Sequence, residues 1–407
     1  MGISLNAADV LPQDAANATL VGRVFDPSAG GPSVVTIRGD EVIDLSQLTS
    51  TISSLLERPN ALEIAQNHPG GTSWPLADVL AATTNPAGAV PRFLAPVDLQ
   101  VLKAAGVTFV RSMLERVIEE RADGDPARAE EVRKKVGAVV QGRISNLKPG
   151  SAEAAEVKRV LQAEGLWSQY LEVGIGPDPE IFTKAPVLSA VGLGADIGVL
   201  ARSTWNNPEP ELVLVVDSRG NPVGATLGND VNLRDFEGRS ALLLTEAKDN
   251  NASCAIGPFL RLFDHGFTLA DAKATEIALD ITGPDGFELH GVNPVSEISR
   301  ELEDLVSHAF GAHHRYPDGF VLFTGTMFAP TEDRDQPGEG FTHKVGDVVR
   351  ISSARLGALT NVVNTAEDAE DWAFGITALM ENLAARGLLS VPKTAFTRAE
   401  RHGDTRG

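Results

Sequence analysis

The feature that most constrains this chain is a pair of glutamates at the start of an apolar run. Glu209 and Glu211 lead into Leu212–Val216, a stretch of leucine and valine that is typical of a buried β-strand. Residues two apart on a strand share a face, so the two carboxylates point the same way. Like charges entering a buried strand are unfavourable unless something positive lies between them.

A third carboxylate is expected beside this pair. After the apolar run come turn residues and a second β-like run that ends at Asp230. If Gly220 and Asn221 form a two-residue hairpin loop, Glu211 lies directly across from Asp230. Together with Glu209 these carboxylates suit a hard divalent cation, Mg²⁺, with Mn²⁺ and Ca²⁺ as alternatives. The other reading, a solvated face of an edge strand, stays open on spacing alone.

Composition narrows the class of protein. The 407 residues carry 35 Lys and Arg against 55 Asp and Glu, a formal net charge of −20. Such a surface repels nucleic acid and anionic membranes, so neither is expected as a partner. Cys254 is the one cysteine, which excludes an intrachain disulfide and a cysteine zinc site. Without a signal peptide or a long apolar run, we expect a cytoplasmic protein.

The distribution of β-like and helical patterns along the sequence predicts an α+β protein that is mostly β, in three parts. Residues 1–165 form a smaller N-terminal domain of short strands and helices, with helix predicted over Leu99–Val139. Residues 166–392 form the catalytic domain, and residues 393–407 form a polar tail. The β-like runs of the second part are Glu211–Val216, Glu276–Ile281, Gly319–Phe323, Val345–Ile351 and Leu359–Val363.

Beyond spacing, the segment Asn229–Asp235 resembles the N-D-V-S-x-R-D signature of the fumarylacetoacetate hydrolase family, and Glu209 and Glu211 match that family's E-x-E metal pair. Further elements follow in family order between residues 94 and 363. They are Lys184-Ala185-Pro186, Lys248 ahead of Cys254–Pro258, Phe323–Thr326, Gly346–Val349 and Leu356–Asn361.

This resemblance implies a mixed β-sandwich roll that binds Mg²⁺ through Glu209, Glu211 and Asp230. It also implies a homo-oligomer, a dimer or a tetramer. The chemistry implied is hydrolysis, decarboxylation, hydration or dehydration of keto acids through a metal-stabilised enolate.

One departure from the family separates these reactions. The family's hydrolases carry G-x-N-Y-x-x-H-x-x-E, and here Ser112 stands at the histidine position. A serine cannot replace an imidazole as a base near neutral pH. The segment from Ser112 to Glu115 is also the pattern of a helix capping box. Hydrolysis is therefore disfavoured.

The resemblance is strongest to family members that dehydrate 2-keto-3-deoxy-sugar acids. It implies conversion of 2-keto-3-deoxy-D-xylonate (2-dehydro-3-deoxy-D-arabinonate) to 2,5-dioxopentanoate and water in oxidative pentose breakdown. The alternative is a keto-acid decarboxylase or an acylpyruvate hydrolase. The implied acid–base residues are Lys248, whose pKa we expect burial to lower, and Glu180. The candidate substrate-binding residues are Arg234, Thr326, Ser112 and Lys184.

Overall fold

The computed structural model describes residues 3–86, 88–123, 125, 128–129, 131–132, 144, 147–327, 330, 332–335 and 340–389. The predicted polar tail, 393–407, lies outside these residues, as does much of the predicted helix beyond residue 123. Within the described ranges, no helix combines the length and the apolar character that crossing a membrane needs.

The strands and helices follow one another with short connections. The strands are β1 Leu20–Asp26, β2 Gly31–Arg38, β3 Glu41–Asp44, β4 Ser73–Pro75, β5 Arg92–Leu94, β6 Val101–Gly106, β7 Glu180–Ala185, β8 Asp196–Val199, β9 Asn206–Asn207, β10 Pro210–Val216, β11 Pro222–Asp230, β12 Asn232–Leu233, β13 Cys254–Leu262, β14 Glu276–Thr282, β15 Glu288–Pro294, β16 Phe320–Phe323, β17 Val348–Ser353 and β18 Gly357–Thr365. The α-helices are α1 Ala7–Val10, α2 Ile52–Leu56, α3 Ala61–Asn67, α4 Leu76–Thr84, α5 Val110–Arg121, α6 Ala152–Ala163, α7 Gln169–Ile175, α8 Arg234–Glu237, α9 Leu244–Lys248, α10 Leu269–Lys273, α11 Leu302–Ala309 and α12 Ile376–Ala385. Short 3₁₀ turns cover Ala15–Asn17, Ala241–Leu243 and Val295–Glu297.

Two sheets form the body of the described part of the molecule. The larger has the order β4-β3-β2-β1-β13-β11-β10-β16-β6-β7, with β5 also paired to β1, and the smaller has the order β15-β14-β17-β18-β8. The β16–β6 and β18–β8 pairs are parallel, and the other pairs within these sheets are antiparallel. β9 and β12 form a separate two-stranded ladder. The predicted boundary near residue 165 stays a prediction, although strands from both sides of it share the larger sheet.

Strand β10 shows why the apolar run of the sequence is continuous. Leu212 and Leu214 pack in the core between the two sheets, whereas Val213 and Val215 pack on the opposite face, in the core that includes Ile52 of α2. Both faces of the strand are thus removed from water, which favours leucine and valine at every position.

The mostly β, α+β class predicted from the sequence is confirmed, and all five predicted β-like runs overlap strands. The helix predicted from Leu99 is wrong at its start. Val101–Gly106 is a strand, held between β16 and β7 of the larger sheet, and the helix begins only at Val110. Pairing on both sides of this segment outweighs a local composition that is compatible with a helix.

Candidate active site

The turn between β10 and β11 is longer than predicted, and this changes the strand register. The Asp217 carboxylate accepts hydrogen bonds of 2.9 Å from two backbone N–H groups inside a turn over residues 217–221. The ladder then shifts at a bulge near the end of β10. The prediction that Glu211 lies across from Asp230 is therefore wrong, because Glu211 pairs with Gly228.

The three carboxylates nevertheless meet. Asp230 lies across from Glu209, and its N–H donates to the Glu209 carbonyl at 3.1 Å. The error in register is two residues, and side chains alternate with a period of two, so the face of each carboxylate is unchanged. Carboxylate oxygens of Glu209, Glu211 and Asp230 all lie within 4.8 Å of one another. The predicted convergence is confirmed, and the role of these residues as metal ligands stays a prediction.

These glutamates do not belong to a solvated edge. Strand β10 lies between β11 and β16 inside the larger sheet. Glu209 is 5% exposed and Glu211 is 1% exposed. The alternative of an acidic edge strand is therefore wrong, and each charge needs a partner inside the protein.

Cationic side chains supply part of that compensation. Lys248 Nζ lies 2.5 Å from Glu209 Oε2 and 3.1 Å from Asp230 Oδ2. Lys184 Nζ lies 2.8 Å from Asp230 Oδ1, and Arg116 Nη2 lies 2.6 Å from Glu209 Oε1. Glu211 has the weakest compensation of the three, a 2.7 Å hydrogen bond from the Gly325 N–H. Glu209 and Asp230 therefore each contact cationic side chains, whereas, among the described residues, Glu211 contacts only the dipole of a backbone N–H group.

The pKa shifts follow from this arrangement. Burial, then the charges of Asp230 and Glu209, raise the pKa of Glu211 well above its ordinary value. Burial also opposes ionisation of Asp230, but Lys184 and Lys248 outweigh it and lower the pKa of that carboxyl. A divalent cation among these oxygens would remove the repulsion that burdens Glu211. The carboxylate oxygens of this site are hard ligands of the type that Mg²⁺ binds, so the residues fit the expected cofactor.

Lys248 departs from one expectation. Burial lowers the pKa of a lysine, but the charges of Asp230 and Glu209 outweigh burial here and raise the pKa of Lys248 above its ordinary value. The predicted lowering of this pKa is therefore wrong for this arrangement. The physical reason is that two carboxylates hold the ammonium form.

The carboxylates line a cavity of strongly acidic character. Among the described residues, seven carboxylates and three cationic side chains line it, and they are Glu115, Glu119, Glu180, Glu209, Glu211, Asp230 and Glu237, with Arg116, Arg234 and Lys248. Ser112 and Thr326 also line it, and their role in substrate binding stays a prediction. Lys184 is fully buried against Asp230 and is not among the lining residues, so the structure does not place it where the predicted contact with substrate requires.

Arg116 is the main site residue that sequence reasoning missed. It lies on α5, and its Nη1 is 2.7 Å from Glu119 and 2.7 Å from Glu237, while Nη2 holds Glu209. Only the i, i+3 spacing of Arg116 and Glu119 was visible in the sequence, and that spacing is typical of exposed helix surfaces. No local pattern indicates that this pair faces a cavity.

The segment around Ser112 differs from the prediction. Helix α5 begins at Val110, so Ser112 is its third residue and cannot be the N-cap. The Ser112 hydroxyl donates to the Phe109 carbonyl at 2.9 Å. Glu115 faces the cavity, with Oε2 3.5 Å from Arg234 Nη2. The predicted capping box is wrong because the helix starts at Val110, three residues before Met113, the first helical residue that an N-cap at Ser112 requires.

Arg234 is held tightly. Its Nη2 is 2.5 Å from Glu119 Oε1, its Nη1 donates to the Pro330 carbonyl at 3.1 Å, and its guanidinium lies 4.2 Å from the Trp205 ring centroid. This arginine is 2% exposed. It lines the cavity with its geometry set by these partners, and its role in substrate binding stays a prediction.

Glu180 opens strand β7 and lines the same cavity as Lys248. Its removal from water, followed by the charge of Glu237, raises the pKa of Glu180 to about 7. Near neutral pH this carboxyl therefore exists in both protonation states, which is the property expected of a group that gives and takes protons.

Glu180→Gln should stabilise the metal-free protein at pH 8. The folded pKa exceeds the unfolded value, so ionisation of Glu180 opposes folding above pH 7, and this penalty fades as the pH falls from about 7 towards about 4.5. We expect a higher melting temperature for the variant at pH 8 in the presence of a chelator, and a smaller difference at pH 5. Glu288→Gln, on an exposed residue of β15, is the control. Equal differences in melting temperature between the variant and the wild type at both pH values would contradict the raised pKa of Glu180.

The fold and the site define a β-roll protein with a buried carboxylate centre. The chain belongs to the fumarylacetoacetate hydrolase family, because residues 155–364 match the fumarylacetoacetate (FAA) hydrolase C-terminal domain. That match includes Glu180, Lys184, Lys248 and the three carboxylates. It leaves out Arg116 and the rest of helix α5.

Two relatives and two solved structures show the same likeness. The chain is 35% identical over 196 residues to the probable 2-keto-3-deoxyxylonate dehydratase of Haloferax volcanii, covering 48% of this chain and 64% of that protein. It is 32% identical over 185 residues to the 2-dehydro-3-deoxy-D-arabinonate dehydratase of Saccharolobus solfataricus, covering 46% of this chain and 58% of that protein. The chain thus spans less than two thirds of the length of each relative.

The structural matches establish the fold. A 2-keto-3-deoxy-D-arabinonate dehydratase in its apo form matches with a TM-score of 0.60 at 22% identity, covering 85% of this chain and 99% of that chain. The same coverage and identity, with a TM-score of 0.59, hold for the structure of that enzyme complexed with magnesium and 2,5-dioxopentanoate. The predicted family fold is confirmed.

Proposed function

We propose that this chain is a Mg²⁺-dependent hydro-lyase that converts 2-keto-3-deoxy-D-xylonate (2-dehydro-3-deoxy-D-arabinonate) to 2,5-dioxopentanoate and water. The observation that carries the proposal is one cavity that holds three carboxylates together with Lys248 and Glu180. In the described part of the chain, no histidine lines this cavity. The names of the two relatives and the ligands of the solved structure support the same reaction.

Glu209, Glu211 and Asp230 would hold the cation. When bound, a divalent cation supplies Lewis-acid polarisation of the carbonyl of a 2-keto acid, which makes the C3 protons more acidic. Lys184 and Arg116 would keep Asp230 and Glu209 in place, since each lies within 2.8 Å of one carboxylate oxygen.

The reaction needs proton transfers at three carbons. Removal of a C3 proton gives an enolate, and protonation of the C4 hydroxyl lets it leave as water while a C3–C4 double bond forms. Loss of a C5 proton, return of a proton to C3 and tautomerisation with protonation at C4 then give the aldehyde. Water is the only group lost. Lys248 and Glu180 share these transfers in our proposal, because both side chains line the cavity.

A coupled assay tests the proposal. Incubation of the protein with Mg²⁺ and 2-keto-3-deoxy-D-xylonate, coupled to a semialdehyde dehydrogenase, should produce NADH or NADPH, and a chelator should stop it. Oxaloacetate and an acylpyruvate serve as competing substrates. Turnover of either one without turnover of the sugar acid would contradict the dehydratase and favour a decarboxylase or a hydrolase. Cytoplasmic location and assembly into a dimer or tetramer stay predictions.

A further inference from the structure

One buried polar atom in the cavity has no role in the reaction as proposed. Asn207, at the end of β9, is 2% exposed and lines the cavity beside the three carboxylates. Its Nδ2 donates to the Pro208 carbonyl at 2.9 Å, which sets the orientation of the amide. Its Oδ1 is buried, and no donor among the described residues reaches it. A buried acceptor without a donor is unfavourable, so an incoming group that donates a hydrogen bond is favoured there.

The donors that contact the three carboxylates are committed to them. Lys248 holds Glu209 and Asp230, Arg116 holds Glu209, and the Gly325 N–H holds Glu211. The acceptors of the cavity far outnumber these donors, because seven carboxylates line it. The cavity therefore suits a ligand that brings its own donors. Keto and carboxylate oxygens only accept, whereas a hydroxyl group can donate.

We infer that Asn207 is a specificity-determining residue, whose Oδ1 accepts a hydrogen bond from a hydroxyl group of the substrate. The inference rests on the proposed function for the location of the substrate, and it deepens it by restricting the substrate to hydroxylated 2-keto acids. Oxaloacetate and simple acylpyruvates in their keto forms offer no such donor, so they would leave Oδ1 unsatisfied.

The backbone around Asn207 is suited to this task. Asn207 pairs with Asn232 in the β9–β12 ladder, and two residues later the Glu209 N–H donates to the Asn229 side chain at 3.0 Å. The side-chain amide of Asn207 thus lies two residues before Glu209, a proposed metal ligand, on backbone that is hydrogen-bonded at both positions. A substrate hydroxyl bound there would be placed relative to the metal site by the backbone itself.

Binding of matched ligands tests this inference independently of turnover. The probes are 2-oxopentanoate and its 4-hydroxy and 5-hydroxy derivatives, titrated by calorimetry into the Mg²⁺-loaded protein. We expect at least one hydroxy derivative to bind about 10-fold more tightly than 2-oxopentanoate. Asn207→Leu, which has a similar volume and no acceptor, should reduce that ratio to about one. Asn207→Asp, which keeps an acceptor oxygen, should retain the preference.

Two results would overturn the inference. One is a hydroxyl preference that is absent from the wild type or survives in a folded Asn207→Leu protein. The other is a loss of Mg²⁺ affinity of about 10-fold or more in Asn207→Leu without organic ligand, because Asn207 would then act on the metal. If the coupled assay shows no turnover but the wild type still prefers the hydroxylated ligands, the proposed dehydratase activity is refuted and the role of Asn207 is not. Melting temperatures of both variants establish that they are folded.

Discussion

Glu211→Gln should abolish Mg²⁺-dependent turnover, with a loss of at least about 1,000-fold in kcat/KM. Glu211 is 1% exposed, and its carboxylate has only the Gly325 N–H as its hydrogen-bond partner in the site as described. Its charge therefore depends on a bound cation more than the charges of Glu209 and Asp230 do. Glutamine keeps the shape of the side chain and removes the charge.

Stability measurements distinguish a loss of metal binding in this variant from a loss of folding. Burial, together with repulsion by Asp230 and Glu209, raises the pKa of Glu211, so its ionisation opposes folding at neutral pH. Without metal, Glu211→Gln should therefore melt at a higher temperature than the wild type. Added Mg²⁺ should stabilise the wild type and leave the variant unchanged. Retained Mg²⁺-dependent activity, or stabilisation of the variant by Mg²⁺, would refute the metal site, and Glu288→Gln is the matched surface control.

Lys248→Met should reduce turnover by about 100- to 10,000-fold, the range typical of a lost acid–base group. It should also destabilise the metal-free protein, because Glu209 and Asp230 lose an ammonium group at 2.5 Å and 3.1 Å. Mg²⁺ should restore much of that stability, since a cation among the carboxylates replaces the lost charge. Thermal unfolding with and without Mg²⁺, together with kcat, checks both expectations.

The matched control for Lys248 is Lys273→Met. Lys273 pairs with Glu301 and Glu303 at 2.8 Å each on the protein surface, where an ion pair contributes little. We expect this control to keep its activity and to show no dependence of its stability on Mg²⁺ beyond that of the wild type. Full activity in Lys248→Met, with a normal response in the control, would remove Lys248 from the proposed chemistry.

The sequence by itself determined which residues alternate along each strand. Glu209 and Glu211 share a face because strand side chains repeat every two residues, and this rule needs no knowledge of the partner strand. The predicted pairing of Glu211 with Asp230 was wrong by two residues, yet all three carboxylates still converge. A one-residue error would have moved Asp230 to the other face of the sheet. A register error of an even number of residues leaves the face of every side chain unchanged.

The surroundings of the carboxylates were decided by the tertiary structure alone. Arg116 lies on a helix 93 residues before Glu209, and Glu237 reaches the same guanidinium from α8. Local patterns describe neighbours within a few residues, whereas these contacts depend on how separate elements pack. The raised pKa of Lys248 and the orphan oxygen of Asn207 have the same origin. Charge compensation and hydrogen-bond satisfaction in a buried site are sums over groups that only folding brings together.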